Sequence, residues 1–471
     1  MLLFPSIIPF HMQGLPIVPP LSPPPSHMNT GGTTGATATA VVLTILVMVG
    51  AVFHVAPLAY LGTPVHDSGF SLHQPLEYLL LAPIARLLDE LSLLTDRQHV
   101  DMLFSAAIGA VVWACARTFR RTALSPRSRV CHGARDIASV TAATVLLYVV
   151  GALVPRPMVA LRSANPSDVL VDFHSHTHRS HDGRWGFDVE SNRAWHAAAG
   201  FNAVYVTDHQ TMAGWQMLAD HGALQRGVNR VREASLAGIG AASSTATILP
   251  GIETVVPGAH LNLLGVSSAS APLFRHARDL DTAAFAIAPS AGRPLVLLTL
   301  PFDLGRSPGR APRIDAIEIS NGSPRGLGFA RLHRTRILSL ADSLRVPVVA
   351  SSNNHGWGAT AVSWTALRLE RWQAMSPLDL DEQIRATIIQ RPEVVRVVER
   401  SSLAPSDGRL EEMLAVPRLI VHVLRIAHPL ERVAFAVWIW AIWLIARRRR
   451  RRRLFGAHAA AGLAHPPRVS P

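Results

Sequence analysis

The hydrophobic pattern divides the chain into long apolar segments near its two ends and a middle region of short apolar runs. The longest segment, Thr37–Leu61, carries no formal charge and is long enough to cross a hydrocarbon core of about 30 Å as a helix. Three further segments are also predicted to be transmembrane helices: Met102–Ala116, Ile137–Val154 and Val433–Ala446. Buried helices of a soluble bundle are the alternative interpretation. The Pro-rich residues 1–36 are predicted to be disordered, and Met28 is a second candidate start.

Between residues 160 and 405 the pattern changes to short apolar runs separated by helix-like stretches. Continuous runs of this kind are typical of parallel strands covered by helices. The stretch ESNRAWHAAAG predicts one such helix, with Gly200 as its C-terminal cap. Seven runs are predicted to be strands: Asp168–His174, Ala203–His209, Thr245–Glu253, His260–Val266, Pro294–Pro301, Ile314–Asn321 and Val346–His355. We therefore predict an α/β barrel for residues 160–405, with its chemistry at the carboxyl ends of the strands.

The composition favours a membrane protein. The hydrophobic fraction of 49% is high and the charged fraction of 16% is low for a soluble protein. All 45 basic residues are arginine, which together with the many Ala and Pro residues indicates a high-GC bacterium. The net charge of +13 is therefore weak evidence for nucleic-acid binding, and no stable binding is expected. Seven arginines form one run, Arg447–Arg453, for which topology control is the simpler explanation and a nucleic-acid tail the alternative.

Charge asymmetry orients the predicted helices. The loop between the second and third segments carries six arginines, whereas residues 62–101 are mainly acidic. Because Arg-rich loops face the cytoplasm, the third helix would place the middle region outside the membrane. We therefore predict a multi-pass protein of the bacterial cytoplasmic (inner) membrane with an extracytoplasmic barrel. About three transmembrane helices are assigned to residues 37–156, and one helix with a cytoplasmic Arg-rich tail to residues 406–471.

The stretch VDFHSHTHRSHDG concentrates histidines at the end of the first predicted barrel strand. His174 and His176 are separated by one residue, so an extended strand would send both imidazoles to one side, ready to share a metal ion. Since the chain has only two cysteines, a Cys-type zinc site is excluded and the ligands must be His, Asp, Glu or Asn. His178 and His181 of the same stretch are expected to face solvent.

Other candidate ligands end or follow other predicted strands. Asp182 follows in SHDG, and His209 ends VTDH. Glu253 ends PGIE, and a carboxylate at such a site can bridge two cations for two-metal hydrolysis. The stretch SSNNHGWG contributes Asn353 and His355, again one residue apart. These residues extend the His-x-His pair to a candidate metal centre.

The ordered set DFHSHT, SHDG, VTDH, PGIE, HLNLLG and SNNHG resembles the PHP family, the polymerase and histidinol phosphatase metal-dependent phosphoesterases, over about residues 168–357. The resemblance implies a distorted seven-stranded α/β barrel, up to three divalent ions and phosphoester hydrolysis. It also implies two ligand groups: His174, His176 and a bridging Glu253 for one ion, and Asp182, His209 and His355 for another.

The sequence departs from the family pattern at three positions. Asn353 stands where the family has Asp, and its neutral oxygen binds divalent ions less strongly. Leu300 stands where the family has a ligating His. The His near LLG is matched by His260 or by Asn262, which lie five and three residues before Gly265. Because a third ion would lose a ligand, we expect one or two divalent ions, for which Zn, Mn and Fe all suit His and carboxylate ligands.

Some polar residues are assigned supporting roles. Arg179 and Arg184 either receive a phosphate through charge-assisted hydrogen bonds or lie solvated on the surface. Asn321 is a third predicted substrate contact. Asp208 is expected to orient a ligating histidine. Glu318 is expected either to line the pocket or to be a buried structural acid.

Together these patterns predict a membrane-anchored metal-dependent phosphoesterase that hydrolyses a phosphate ester with metal-activated water. His209, His355 and Glu253 are the predicted catalytic residues, and a histidine can transfer a proton only if it is not committed to a metal ion. The predicted location favours a phosphorylated small molecule, lipid or nucleotide as substrate, and the oligomeric state is left open. Asn353 and Leu300 motivate the alternative, a degenerate barrel that binds metal or a phosphorylated ligand without turnover, as a sensor or scaffold.

Overall fold

Helices and strands alternate through the middle of the chain, so the protein is α/β, as the sequence predicts. A computed structural model describes residues 31–61, 69–121, 125–220, 245–256, 258–268, 270, 293–303, 314–358 and 360–463. One unit spans Ile45–Trp438, and a second combines the described residues up to Thr44 with those from Ile439 onward. The predicted disorder of the N-terminus falls mainly on residues 1–30, which lie outside the described residues. Residues 31–36, which the same prediction covers, begin a helix instead.

Long helices flank the middle region on both sides. The helices before it are α1 (Gly31–Val52), α2 (Leu76–Leu80), α3 (Ala82–Ser92), α4 (Asp96–Arg120) and α5 (Pro126–Leu153). The helices within it are α6 (Val189–Ala199), α7 (Ala213–Asp220), α8 (Pro324–Leu344) and α9 (Pro377–Gln390), and those after it are α10 (Arg409–Met413), α11 (Ala415–Ile426) and α12 (Pro429–Leu463). Within the described residues, α1, α4, α5 and α12 are long and apolar enough to cross a membrane. The four predicted apolar helices are therefore confirmed.

Helix α5 illustrates why these segments suit a lipid environment. Ser125 caps the helix by accepting the backbone N–H of Ser128. None of the residues of α5 is buried, and Val145 and Leu146 are among its exposed apolar side chains. One side of α5, with Leu147, Tyr148 and Val150, packs against a buried cluster, and the other apolar side chains are largely exposed. Such exposed apolar surface is unfavourable in water and favourable in hydrocarbon.

The first apolar helix ends earlier than predicted. Helix α1 stops at Val52, whereas the apolar segment continues to Leu61. Pro57 disfavours helical backbone at the residue before it. The following residues, Leu58–Leu61, form strand β1. This strand pairs antiparallel with Arg396–Arg400, the last strand along the chain. One uncharged run thus supplies both a helix and a strand.

A ten-stranded sheet forms the core of the middle region. Besides β1, its strands are β4 (Asp168–Ser175), β5 (Ala203–Val206), β6 (Thr247–Val256), β7 (Ala259–Leu264), β8 (Leu295–Thr299), β9 (Ala316–Asn321), β10 (Val348–Ser351), β11 (Ser363–Arg368) and β12 (Arg396–Arg400). Strands β2 (Phe70–His73) and β3 (Ala160–Ser163) pair separately. The seven predicted runs form β4 to β10 and lie in that order in the sheet. The predicted number of seven strands is wrong, because β11, β12 and β1 extend the sheet beyond β4.

The sheet is mixed, whereas the sequence predicts parallel strands. Strand β7 pairs antiparallel with β6 and β8, and β11 pairs antiparallel with β4. Val256 and Ala259 face each other at the β6–β7 connection, which is too short for the crossover that parallel neighbours need. Gly258 in this connection has a φ of 83°, which favours glycine. The Pro-Gly pair of the sequence is the turn signal that marks this hairpin.

The sheet curls so that its edge strand β10 returns to β4. Beyond β10, the backbone N–H of Asn353 donates to the carbonyl of His174 at 2.8 Å. The N–H of His176 donates to the carbonyl of Asn354 at 2.9 Å, and the two segments form an isolated parallel bridge. We call this junction the seam. It places the segment that carries His355 beside the end of β4.

The buried carboxylate of Asp172 on β4 holds the seam. Its Oδ1 accepts the N–H of His174 at 3.1 Å and that of Ser352 at 3.0 Å. Its Oδ2 lies 2.7 Å from Nε2 of His196 on α6, whose Nδ1 lies 2.7 Å from the carbonyl oxygen of Asn192. One carboxylate therefore joins β4, α6 and the segment after β10.

Helix α6 ends where the sequence predicts. Gly200 has a φ of 92°, and a Cβ there would lie 2.3 Å from the carbonyl oxygen of Leu161. At the other end, the side chain of Asp188 accepts the N–H of Ser191 at 2.8 Å. These two caps set the bounds of the helix that presents His196 to Asp172.

A buried charge network links α3, β12 and the first residues of α12. Arg400 of β12 lies 3.2 Å from Asp89 and 3.4 Å from Glu90 of α3. Arg86 lies 3.4 Å from Glu90 and 3.9 Å from Glu431. All five side chains are buried. Because an unpaired buried charge is strongly destabilising, these pairs restrict how α3 can pack against the sheet.

The seam predicts a specific loss of stability when Asp172 is replaced. Asp172→Ala should lower the free energy of unfolding by about 3–5 kcal/mol, since it leaves His196 and two backbone N–H groups without their buried acceptor. Asp172→Asn should cost less, because its amide oxygen still accepts from His174 and Ser352. Denaturant unfolding of the purified protein measures both values, with the exposed Glu382→Ala as control. Equal stability of Asp172→Ala and the control would contradict the role of Asp172.

Candidate metal centre

Glu253 of β6 lies at the centre of a cluster of histidines. Its side chain is buried, and its Oε1 lies 2.6 Å from Nδ1 of His260. Its Oε2 lies 3.1 Å from Nε2 of His174 and 3.2 Å from Nε2 of His176. The same oxygen lies 3.5 Å from Nδ1 of His209. Four imidazoles therefore approach one carboxylate.

The His-x-His pair lies at the carboxyl end of β4, and the Nε2 atoms of His174 and His176 are 3.0 Å apart. Nδ1 of His174 lies 3.1 Å from Oε1 of Glu318 on β9. Glu318 is fully buried, and its Oε2 accepts the backbone N–H of Leu300 at 2.7 Å. The carboxylate thus accepts a hydrogen bond from Nδ1–H of His174, and Nε2 of this ring is oriented towards the cluster as a candidate metal donor.

A second group of donors lies on the more exposed side of the cluster. Oδ2 of Asp182 lies 3.4 Å from Nε2 of His209 and 3.0 Å from Nε2 of His355. The rings of His176 and His355 stack with centroids 4.1 Å apart. The Asp182 side chain is 42% exposed, whereas those of His209 and His355 are 11% and 17% exposed. This group therefore borders the solvent and connects to the buried group through His176.

Neighbouring charges set different protonation states for the buried residues. Burial opposes the charge of His174, but Glu253 and Glu318 outweigh it and raise the pKa of His174 to about 10. Burial and the nearby His355 lower the pKa of His176 to about 3. Burial opposes the charge of Glu253 as well, yet the histidines, His174 first, hold its pKa well below the ordinary value. The metal-free cluster at neutral pH thus holds an ionised Glu253, a protonated His174 and a neutral His176.

The exposed group follows the same electrostatics. Burial opposes the charge of Asp182, but hydrogen bonds from His209 and His355 hold its pKa below the usual range. Burial likewise lowers the pKa of His209, and the carboxylates of Asp182 and Glu253 reverse that effect and raise the pKa. Cations are therefore favoured between these carboxylates, whether the cation is a proton or a metal ion.

The donor set fits divalent metal ions. Nδ1 of His176 and Oδ1 of Asn353 are buried and find no hydrogen-bond partner among the described residues. Unpaired buried polar atoms are costly, and a bound ion would use such lone pairs. Within the described residues, three groups of donor atoms lie within 4.8 Å of one another: His176, Asp182, His209 and His355; His174, His176 and Glu253; and His209, Glu253 and His260. Imidazole and carboxylate donors suit Zn, Mn or Fe.

Asn353 lies at the seam beside the cluster. Its φ of 44° is in the left-handed region, and its N–H donates to the carbonyl of His174 at 2.8 Å. Its own carbonyl oxygen lies 2.9 Å from Nδ1 of His355. The backbone of Asn353 thus positions His355, and its side-chain Oδ1 stays available as a further candidate metal ligand.

The contacts of His260, Asn262 and Leu300 bear on the positions where the sequence departs from the family pattern. His260 contacts Glu253, whereas Asn262 donates its side-chain N–H to the carbonyl of Phe173 at 3.2 Å. His260 is therefore the one of the two in contact with Glu253, while Oδ1 of Asn262 is buried without a hydrogen-bond partner among the described residues and stays a candidate metal donor. Leu300 is buried in the apolar core and supplies no metal donor from its side chain.

The two arginines predicted to bind phosphate lie near the exposed group. The backbone N–H of Arg184 donates to the carbonyl of His355 at 2.9 Å, and its guanidinium lies 6.0 Å from the ring centroid of Trp357. Arg179 is exposed on the turn between His176 and Asp182. Arg184 is the better placed of the two, because its backbone is fixed to that of a predicted metal ligand.

Asn321 does not fit the predicted substrate contact. Its side chain is fully buried, and its Nδ2 donates to Oε2 of Glu318 at 2.9 Å. Its Oδ1 accepts the N–H of Ser323 at 3.0 Å and the hydroxyl at 2.8 Å. The amide is thus committed to holding Glu318 and the start of α8.

The histidines outside the predicted ligand set have different surroundings. Nδ1 of His178 lies 3.3 Å from the carbonyl oxygen of Phe187, and its side chain is half-buried rather than solvated. His181 is exposed, as expected, with its ring centroid 4.7 Å from that of His209.

The residues that orient the cluster were only partly anticipated. Asp208 does not orient a histidine; its carboxylate accepts the N–H of Thr177 at 2.6 Å and the hydroxyl at 2.8 Å. Glu318, and not Asp208, contacts a histidine of the cluster and orients it, namely His174. Asp172 was missed, although an acidic residue inside a continuous apolar run is a signal of a buried hydrogen-bond acceptor.

Comparisons with known proteins find only weak structural matches. No protein-family model and no curated protein matches the sequence. PsfC from Pseudomonas syringae is 16% identical, with 54% of this chain and 98% of that chain covered and a TM-score of 0.31. A candidate metal-dependent phosphoesterase from Bifidobacterium adolescentis is 16% identical, with 40% and 88% covered and a TM-score of 0.25. These similarities are too weak to carry an argument about fold or function.

The contact between His174 and Glu318 predicts the effect of Glu318→Gln. A glutamine can present an N–H to Nδ1 of His174, which favours the tautomer with its proton on Nε2 and removes the metal donor. Zinc affinity should fall about 10–100-fold, as for other residues that orient a ligand. Competition with a chelator measures it, and Glu190→Gln, an exposed acid on α6, is the control. Unchanged zinc affinity in Glu318→Gln would show that Glu318 does not orient His174.

Proposed function

We propose that this protein is a membrane-anchored, metal-dependent phosphoesterase. The observation that carries the proposal is the convergence of His174, His176, His209 and His260 on the buried carboxylate of Glu253. The neighbouring buried carboxylates Asp172 and Glu318 each contact one histidine and two other N–H donors. Glu253 instead faces four imidazoles, which are the donors that a metal site needs. The order of the motifs along the chain, which resembles that of the PHP phosphoesterases, supports the same reaction.

Two groups of side chains would hold one or two divalent ions. His174, His176 and Glu253 form the buried group, and His176 also belongs to the group of Asp182, His209 and His355. When bound, such ions activate water and stabilise negative charge on a phosphoryl group. A neutral imidazole offers one lone pair, so His176 would bind only one ion. Glu253 contacts a histidine of each group, His174 and His209, and would be the residue that two ions share.

The surrounding residues orient these donors and handle protons. Glu318 fixes the ring of His174, and the backbone of Asn353 fixes that of His355. His209 lies between Asp182 and Glu253, whose carboxylates outweigh the effect of burial, raise its pKa and favour its protonated form. If His209 is not a metal ligand, this proton can pass to the leaving alcohol oxygen.

The substrate is proposed to be a phosphorylated small molecule, lipid or nucleotide outside the cytoplasmic membrane. The arginines between α4 and α5 and the run Arg447–Arg453 both favour the cytoplasm by the positive-inside rule. With both groups inside, the connection from α5 into the sheet emerges on the outer face. The barrel and its candidate metal centre would then act on extracytoplasmic substrates.

The reaction is tested on the full-length protein in lipid nanodiscs. We expect at least one bound metal ion per chain and hydrolysis of p-nitrophenyl phosphate or bis(p-nitrophenyl) phosphate. His174→Ala and Glu253→Ala should each lower bound metal and reduce kcat/KM by about 100-fold or more, because each removes a donor of the site. His178→Ala, outside the donor groups, should retain both properties.

Different outcomes separate the alternatives. Less than one metal ion per chain, with no activity that these substitutions affect, would refute the proposed function. Stoichiometric metal without turnover of either ester would favour a non-catalytic barrel that binds metal or a phosphorylated ligand, the alternative motivated by Asn353 and Leu300.

The topology is tested by cysteine labelling in intact cells. In a chain whose two native cysteines are replaced by serine, Trp185→Cys should react with a membrane-impermeant maleimide, because Trp185 is 94% exposed on the barrel region. Arg450→Cys in the Arg-rich run should react only after lysis. The reverse labelling pattern would place the barrel in the cytoplasm.

A further inference from the structure

A large pocket adjoins the candidate metal centre. Its volume is about 1110 Å³, slightly above the usual range of small-molecule sites. Its wall is built from the β6–β7 hairpin, the residues after β8, the first turns of α8 and the N-terminus of α4. His260 belongs both to this wall and to the cluster, where its Nδ1 lies 2.6 Å from Glu253. The pocket therefore begins at a predicted metal ligand.

The pocket is lined mainly by apolar side chains. Phe302 and Phe329 pack against each other in its wall, with ring centroids 5.6 Å apart. Val256, Leu332 and Pro405 add further apolar surface. Leu332 is 78% exposed, which is unfavourable in water and is relieved when apolar material covers it. The lining thus fits a hydrocarbon group better than a sugar or a nucleobase.

Two basic side chains of the wall, Arg331 and His333, have contacts of their own. The guanidinium of Arg331 donates to Oε1 of Gln98 at 3.1 Å and to the carbonyl of Leu93 at 2.9 Å. The ring of His333 packs on Phe329 with centroids 4.6 Å apart. The wall also contains the charged side chains of Asp96, Arg97, Asp303 and Arg325. The apolar area along Phe302, Phe329 and Leu332 is therefore the feature that fits a hydrocarbon chain.

The pocket also reaches the start of an apolar helix. Thr95, Asp96 and Arg97 contribute to its wall, and α4 begins at Asp96. Because α4 is long and apolar enough to cross a membrane, its first residues belong at the membrane surface. A hydrocarbon chain that leaves the bilayer at this point would meet the pocket before it meets the metal centre.

We propose that the pocket binds the hydrocarbon chain of a phosphate ester whose phosphate lies at the metal centre. The substrate class is therefore an amphiphilic, lipid-type phosphate ester. This inference rests on the proposed function, and it narrows the substrate to one of the three classes considered. The chain lies along Phe302, Phe329 and Leu332, and the phosphate end lies towards His260.

Binding of a chain-length series tests the pocket separately from catalysis. The full-length protein in nanodiscs, both metal-free and zinc-loaded, is titrated calorimetrically with inorganic, methyl, butyl and hexyl phosphate, and empty nanodiscs are subtracted. Each methylene that enters the pocket should tighten binding about fourfold. The increment should appear without metal, because it comes from the chain and not from the phosphate.

Matched variants locate the effect. Leu332→Asp should weaken binding of hexyl phosphate about tenfold more than that of methyl phosphate, since it places a charge against the chain. Leu378→Asp, a leucine of α9 that is 68% exposed and outside the pocket wall, should leave the whole series unchanged. Gly328→Leu is a second variant: a Cβ at Gly328 would lie 3.6 Å from Cβ of Thr95, so a larger side chain there fills the pocket.

The outcomes distinguish this inference from the proposed function. Hydrolysis of the esters with no dependence of binding on chain length overturns the pocket assignment and leaves the phosphoesterase intact. Dependence on chain length without hydrolysis supports the pocket and counts against the enzyme. If neither hydrolysis nor a dependence of binding on chain length is observed, the proposed function and the pocket assignment are both refuted. A chain-length effect that Leu332→Asp and Gly328→Leu do not change also overturns the assignment, because the chain then binds elsewhere or in the lipid.

Discussion

The seam between β4 and the segment after β10 is the constraint on which the candidate site depends. Strands β4 and β10 are six neighbours apart in the sheet, which is about 29 Å in a flat sheet with about 4.8 Å between strands. The curl instead brings the rings of His176 and His355 to a centroid distance of 4.1 Å. Asp172 maintains this closure, because its one carboxylate binds the backbone on both sides of the seam and a histidine of α6. The two groups of donors share His176 only because the sheet closes there.

The buried carboxylates near the site differ in how their charge is balanced. Asp172 is satisfied by two backbone N–H groups and one histidine, and Glu318 by His174, Leu300 and Asn321. These acids stabilise and orient, since each accepts the hydrogen bonds that a buried carboxylate requires. Glu253 faces an excess of imidazoles, and burial together with the nearby His355 lowers the pKa of His176 and keeps it neutral. That excess of donors distinguishes a candidate metal centre from a structural ion pair.

Helix α8 connects the candidate site to the apolar helices. It follows β9, which carries Glu318, and its cap Ser323 is held by Asn321. Along α8, Arg331 binds the residues at the start of α4. The same helix therefore supports the ligand orientation at one end and forms the wall of the apolar pocket along its length. The proposed hydrolysis of amphiphilic esters would use both features, because such a substrate presents a charged and an apolar part together.

Local patterns in the sequence determined the elements of the middle region. The seven apolar runs form strands, Gly200 ends α6, and the His-x-His spacing brings His174 and His176 together, because strand burial, glycine backbone freedom and the period of two act over a few residues. The order of the motifs also predicted most of the residues that surround Glu253. The apolar character of four helices was likewise readable from composition alone.

Only the tertiary structure decided how these elements pair and which polar side chains meet. It added β1, β11 and β12 to the sheet and reversed β7, since strand pairing depends on connections and on partners far away in the sequence. It assigned the histidine contact to Glu318 instead of Asp208, and it committed Asn321 to structure. A side chain's partner depends on the closure of the sheet, which a single strand's pattern does not contain. The candidate residues were thus encoded locally, whereas their roles followed from the seam that brings them together.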